Sequence, residues 1–138
     1  MSIPRQPQIN REAVLEAFKT LRKNRVLAKA NFSCCGSCAG SEIDGRLEDK
    51  PMKWDGYAYW HRQTEARAFP WVFSYDPPSL NIYYGGNEYG SDMTTEHIGS
   101  RIVAVMESHG LNVHWDGNPD NSIEIFPDGL TKADYERN

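Results

Sequence analysis

The sequence predicts an α+β fold, a mixed or antiparallel sheet with about three helices packed on it, in the order α-β-α-β-β-α-β-β. Three observations lead there. Some stretches space their apolar residues three and four apart, whereas shorter ones alternate every second residue. Turn signals join the last two strands directly, as an antiparallel pair requires. Few connections are long enough for the repeated crossovers of a doubly wound parallel sheet.

The elements follow in chain order. "SIPRQPQ" carries two prolines and no periodicity, so residues 1–9 read as a flexible arm. Asn10 can cap a helix in which Val14, Leu15, Phe18 and Leu21 form one stripe, ending near Asn24. In "RVLAKANFSC", Val26, Ala28, Ala30 and Phe32 share one face of a strand and Leu27 takes the other. Ala39, Ile43 and Leu47 recur every fourth residue, which predicts a second helix to about Leu47.

"GYAYWHRQ" alternates Tyr57, Tyr59 and His61 against Ala58, Trp60 and Arg62 and reads as a strand. "FPWVFSYDPPSLNIYYGG" suggests a hairpin: a short strand, a turn at Pro77 and Pro78, and a strand at Leu80–Tyr84. The segment from Gly90 to Gly110 is the clearest helix. Ser91 or Asp92 can cap it, Ile98, Ile102, Val105 and Met106 line one side, and Gly110 stops it. "LNVHWDG" and "SIEIF" then alternate around the turn "DGNPDN", giving a terminal hairpin. The expected organisation is one domain over residues 10–126, with a frayed tail over 127–138.

At 138 residues and 39% hydrophobic composition the chain can bury a core without covalent staples. No window approaches a membrane span, and the N-terminus lacks the apolar core of a secretory signal, so the expectation is a cytoplasmic protein. Charge is uneven: residues 1–30 hold seven Lys/Arg against two Asp/Glu, and residues 31–138 hold eight against seventeen. A nucleic-acid reader presents a basic stripe beside its aromatic platform, but here most aromatics lie in the acidic part, which disfavours nucleic acid as a partner. The common phosphate-loop, dinucleotide, metalloprotease, serine-hydrolase and calcium-loop signatures are absent.

All three cysteines fall in "NFSCCGSCAGSEI", residues 31–43. Cys35-Gly36-Ser37-Cys38 reproduces the core of the papain-type signature, but Ala39 stands where an aromatic belongs. The partner His and Asn of that signature fall about 130–150 residues downstream, so the match is accidental. Three readings stay open. Cys35 and Cys38 fit a C-x-x-C at a helix start, where unpaired N–H groups and the dipole stabilise a thiolate, although the rest of a thioredoxin-like βαβ unit is not visible and Glu42 opposes the charge. The same pair can bind zinc with His61 as third ligand and water or a carboxylate as fourth. Or the cysteines are small buried residues in a crowded strand-to-helix corner.

Phe32, Cys34, Cys35, Cys38, Glu42 and Ile43, then His61 ending an aromatic strand, then "GLNVHWDG" after a helix, resemble a family of small, uncharacterised bacterial proteins. Their shared pattern is an aromatic residue, Cys-Cys-x-x-Cys, a downstream Glu, a strand histidine and a closing Trp-Asp-Gly. The resemblance covers about residues 10–126 and implies that Cys34, Cys35, Cys38, Glu42, His61, Trp115 and Asp116 belong to the defining pattern. It implies no activity, substrate or cofactor. The chain departs from it in the lengthy connector "QTEARAFPWVFSYDPPS".

The sequence thus suggests a small binding or regulatory domain centred on the Cys34–Cys38 corner with His61, for a small-molecule or protein partner. Its binding candidates are Cys34, Glu42, Trp60, Trp115 and Asp116, and zinc on Cys35, Cys38 and His61 is the one cofactor suggested. The alternative is a thiol-dependent or zinc-dependent enzyme that uses Cys35 or Cys38 with His61 as base.

Overall fold

A computed structural model describes residues 8–32, 36–50, 53–69, 78–87 and 93–135, with backbone alone for 36–40, 134 and 135. The first helix, α1 (Arg11–Lys23), starts where the Asn10 side chain accepts from the Ala13 N–H at 3.2 Å and ends at Asn24. Its stripe of Val14, Ala17, Phe18 and Leu21 is fully buried. The chain then turns through Arg25, at φ 67°, into β1 (Val26–Lys29).

From β1 the chain crosses through α2 (Gly36–Asp49) into β2 (Gly56–Tyr59), which pairs with β1 in parallel. This is one βαβ unit, and it required a helix-length connection because parallel neighbours cannot be joined by a tight turn. The sequence does not make this unit visible, but its parallel pair agrees with the mixed sheet expected as one of two arrangements. The other pairings are antiparallel. β3 (Leu80–Gly86) pairs with β2, and β5 (Ile123–Phe126) joins β3 to β4 (Asn112–His114), giving the mixed order β1-β2-β3-β5-β4. The α+β class therefore holds.

An additional helix interrupts the expected order after β2. α3 (Arg62–Ala68) stands directly after β2, so the "GYAYWHRQ" strand ends at Tyr59 and His61 becomes the residue preceding a helix rather than a strand residue. Alternation in the sequence continues past Tyr59, but "RQTEARA" is built of helix formers, and its Glu65 accepts from the Trp60 indole and pairs with Arg11 at 2.8 Å. The short strand expected within residues 70–76, Pro77, and the caps Ser91 and Asp92 lie outside the described residues. α4 (Thr95–Ser108) is capped instead by Thr94, whose hydroxyl accepts from the His97 N–H at 3.1 Å. Gly110, at φ 77°, follows its end as expected, a left-handed conformation that only glycine adopts cheaply.

The sheet divides two cores. On one face, Val26, Ala28, Ala58, Leu80, Ile82, Ile123 and Ile125 pack against the stripes of α1 and α4, whose Ile98, Ile102 and Met106 are buried. On the other, Leu27 and Tyr59 pack against Ile43 and Leu47 of α2. Leu27 thus takes the face opposite Val26 and Ala28, but Phe32 does not stay with them. Asn31, at φ 47°, breaks the alternation and turns Phe32 to the α2 side.

Beyond Phe126, where the sequence suggests fraying, the Asn112 side-chain amide donates to the carbonyls of Pro127 and Leu130, both at 2.9 Å. A one-turn α5 (Lys132–Tyr135) follows. No described helix is long and apolar enough to cross a membrane.

Candidate functional site

The parallel pairing of β1 and β2 brings two candidate segments to one end of the sheet. Trp60 donates its N–H to the Lys29 carbonyl at 3.3 Å, and its own carbonyl accepts from Phe32 N–H at 2.7 Å. The chain that carries Cys34 and Cys35 therefore leaves the sheet beside the residue that precedes His61. Cys34 and Cys35 themselves lie outside the described residues. Cys38 is known by its backbone, as the third residue of α2, and Glu42 follows one turn later with its side chain exposed.

His61 is buried, 7% exposed, and its ring stacks on Tyr83 with centroids 5.3 Å apart and planes 15° from parallel. One α-helical turn on, the Thr64 hydroxyl lies 3.5 Å from Nδ1. A hydroxyl accepting from Nδ1–H leaves Nε2 as the lone-pair nitrogen, and Nε2 makes no hydrogen bond among the described residues. The ring row continues from Tyr83 to Tyr59 at 5.6 Å and from Tyr59 to Tyr57 at 6.1 Å. Burial, then the neighbouring Tyr57 and Tyr83, push the Tyr59 hydroxyl above its ordinary pKa.

Lys29, the last residue of β1, and Arg46 bring positive charge to the same end. The Lys29 ammonium is held below its ordinary pKa, first by burial and then by Arg46, Arg22 and Lys53. Arg46 also stands over the Phe32 ring at 5.6 Å. Such surroundings favour an anion, a thiolate included.

Trp60, named with the binding candidates, is fully buried. Its ring packs on Phe18 at 4.8 Å and Phe69 at 6.1 Å, and its indole N–H is bonded to Glu65. It supports the site from beneath and offers no surface to a ligand.

Trp115 and Asp116 do not join His61; they lie past β4, at the opposite edge of the sheet. Asp116 organises the turn between β4 and β5. One carboxylate oxygen accepts from Asn118 N–H at 2.9 Å and the other from the Asn121 amide at 2.6 Å, and these two bonds, the backbone one foremost, hold its pKa below the carboxylate range. The Trp115 indole donates to the Asn118 carbonyl at 3.2 Å and stands edge-on to Tyr84 at 5.8 Å. Together with His114, Ser122, Glu124 and Lys132, these two residues line a cleft of about 510 Å³.

Sequence reasoning missed Thr64 and these last four residues. The signal for Glu124 and His114 was present: in "SIEIF", period two puts Glu124 opposite the buried Ile123 and Ile125, and the hairpin register sets His114 across from it. Lys132 had no local signal. Among the described residues no three His, Cys, Asp or Glu side chains gather closely enough to hold a metal ion.

Compared with known proteins, the chain matches one family, described as "Domain of unknown function (DUF6891)", over residues 7–129. No curated protein and no solved structure matches it.

Proposed function

This chain belongs to the domain-of-unknown-function family DUF6891, and from that premise we propose that it is a small binding domain whose ligand centre is a thiolate–imidazole corner. Cys35, Cys38 and His61 bind a soft divalent cation, zinc foremost, with water or the Glu42 carboxylate as the fourth ligand. Cys34 takes no coordinating role, because adjacent cysteines seldom reach the same ion.

The observation that carries this reading is the 2.7 Å bond from Phe32 N–H to the Trp60 carbonyl. It ties together the two chains that lead into the cysteines and into His61. Two further features support it. Zinc takes tetrahedral N and S ligands, and a ligating histidine donates its other ring N–H to a neighbour, the part available to Thr64. Cys35 immediately precedes α2 and Cys38 lies in its first turn, where backbone N–H groups favour the deprotonated thiol a metal requires.

A second reading, thiol-dependent catalysis with Cys35 or Cys38 as nucleophile and His61 as base, draws on the cations around Lys29. One sample separates the two. Metal content and thiol titration are measured on the freshly purified, reduced full chain, native and denatured, for the wild type and His61→Gln. Metal binding is expected to give about one zinc per chain, with thiols masked until a chelator is added. Absence of metal with one thiol reacting fast at neutral pH replaces it with the catalytic reading. Absence of both, with a triple Cys→Ala variant as stable as the wild type, overturns the site.

A further inference from the structure

The cleft beside α5 is independent of the cysteine corner, and its contents differ in kind. His114 and Glu124 stand directly opposite one another in the β4–β5 register, so both side chains rise from one face of the hairpin. Trp115 and Asp116 line the cleft from the following turn, and Lys132 from α5. Its formal charges are two carboxylates against one ammonium, an excess of negative charge. The volume, about 510 Å³, is that of a small-molecule site.

Glu124 already holds an ammonium: Lys132 Nζ lies 2.6 Å from Oε1, a charge-assisted bond. The Lys132 side chain is 57% exposed, so solvent reaches the pair. Asp116 retains acceptor capacity, because a carboxylate offers about four lone-pair sites and the turn uses one bond on each oxygen. The Trp115 indole is fixed by its bond to Asn118 and by the Tyr84 ring, giving an apolar wall for an aliphatic stem or a cation.

We propose that this cleft binds a protonated primary amine on an aliphatic stem, and that Lys132 is its built-in competitor. The incoming ammonium replaces Lys132 on Glu124, while the stem lies along Trp115. Tethered at residue 132, the internal ammonium acts at an effective concentration in the millimolar range, so the affinity for a free amine is reduced by the fraction of time Lys132 is docked.

The test is a titration of the full chain with n-butylammonium chloride, 1-butanol and sodium butyrate, followed by chemical shifts of the Trp115 indole N–H. The wild type, Lys132→Ala and Glu124→Gln/Lys132→Ala are compared. Butylammonium is expected to bind, about tenfold tighter to Lys132→Ala if Lys132 is docked nine-tenths of the time. In the double variant the affinity falls at least tenfold below that of Lys132→Ala, and the neutral and anionic analogues shift nothing. A blocked Gly-Lys-Gly peptide separates the two sources of such an amine: tighter binding than butylammonium identifies a protein lysine, weaker binding a free metabolite, and both keep the site. Equal binding of 1-butanol, preference for butyrate, or unchanged affinity in Lys132→Ala overturns the proposal. Lys132 is a surface residue on a one-turn helix, so that last result does not depend on a variant that fails to fold.

Discussion

Replacing Trp60 tests whether the corner rests on a packed core. The side chain is fully buried between Phe18 and Phe69, and its indole N–H is bonded to a carboxylate that also pairs with Arg11. Trp60→Phe removes three ring atoms, worth about 2 kcal/mol at roughly 0.8 kcal/mol per buried carbon. It also removes the indole–carboxylate bond, nominally 1.5–3 kcal/mol for a bond to a charged group. Glu65 keeps Arg11, and its side chain is 19% exposed, so water recovers part of that loss and about 1 kcal/mol remains. The expected cost is about 3 kcal/mol, rising to about 5 kcal/mol for Trp60→Ala, the upper end for truncating a buried tryptophan. Urea unfolding reads both as lower midpoints at unchanged slope. Glu48→Ala, on an exposed side chain of α2, is the control and stays within about 0.5 kcal/mol. A cost below 1 kcal/mol for Trp60→Ala would refute the core assignment and return Trp60 to the ligand surface.

Three further outcomes follow from individual contacts. For Asp55, burial raises the carboxyl pKa but bonds from Arg101 and Arg25 outweigh it and hold it low; Asp55→Asn should cost about 2 kcal/mol at pH 7. Because the folded pKa is the depressed one, that difference is fully present above the unfolded value of about 3.9 and disappears as pH falls through the folded value, which urea midpoints measured from pH 7 to pH 2 will show. Gly99→Ala sets a gain of about 1 kcal/mol in helix propensity against a Cβ 2.8 Å from the Trp115 ring and 2.9 Å from Tyr84; both rings are held, so overpacking should prevail by about 1 kcal/mol in denaturant unfolding. Tyr84→Phe deletes the one proton that the Asn121 carbonyl accepts at 2.8 Å and the Asn118 carbonyl at 3.2 Å; it should cost about 1 kcal/mol and speed amide exchange in residues 118–121, and unchanged exchange would place the turn's stability elsewhere.

Much of the fold was legible in local pattern. The α1 stripe, the Asn10 cap, the stop at Gly110 and the β4–β5 hairpin each depend on residues within a few positions of one another, so spacing alone carries them. The end of β2 was not legible. Trp60 and His61 continue the alternation, and the chain leaves the sheet there for α3, whose Glu65 is held by the Trp60 indole and by Arg11, 54 positions away in sequence. Phe32 changed faces for a similar reason, a single left-handed residue at Asn31 that period-two counting does not register.

The candidate residues divide the same way. Which side chains have chemistry to offer follows from residue type alone, since thiols, imidazoles and carboxylates are fixed by it, and the cysteines group because they are neighbours in the chain. Which of the described candidates meet is a property of the folded chain. Folding tied the segment entering the cysteines to the residue before His61 through the backbone bond from Phe32 to Trp60, sank Trp60 into the core, and set Trp115 and Asp116 at the far edge beside Glu124 and Lys132. The physical reason is that strand order and parallel or antiparallel sense are settled by burying two sheet faces at once, a sum over contacts distant in sequence that no local window contains.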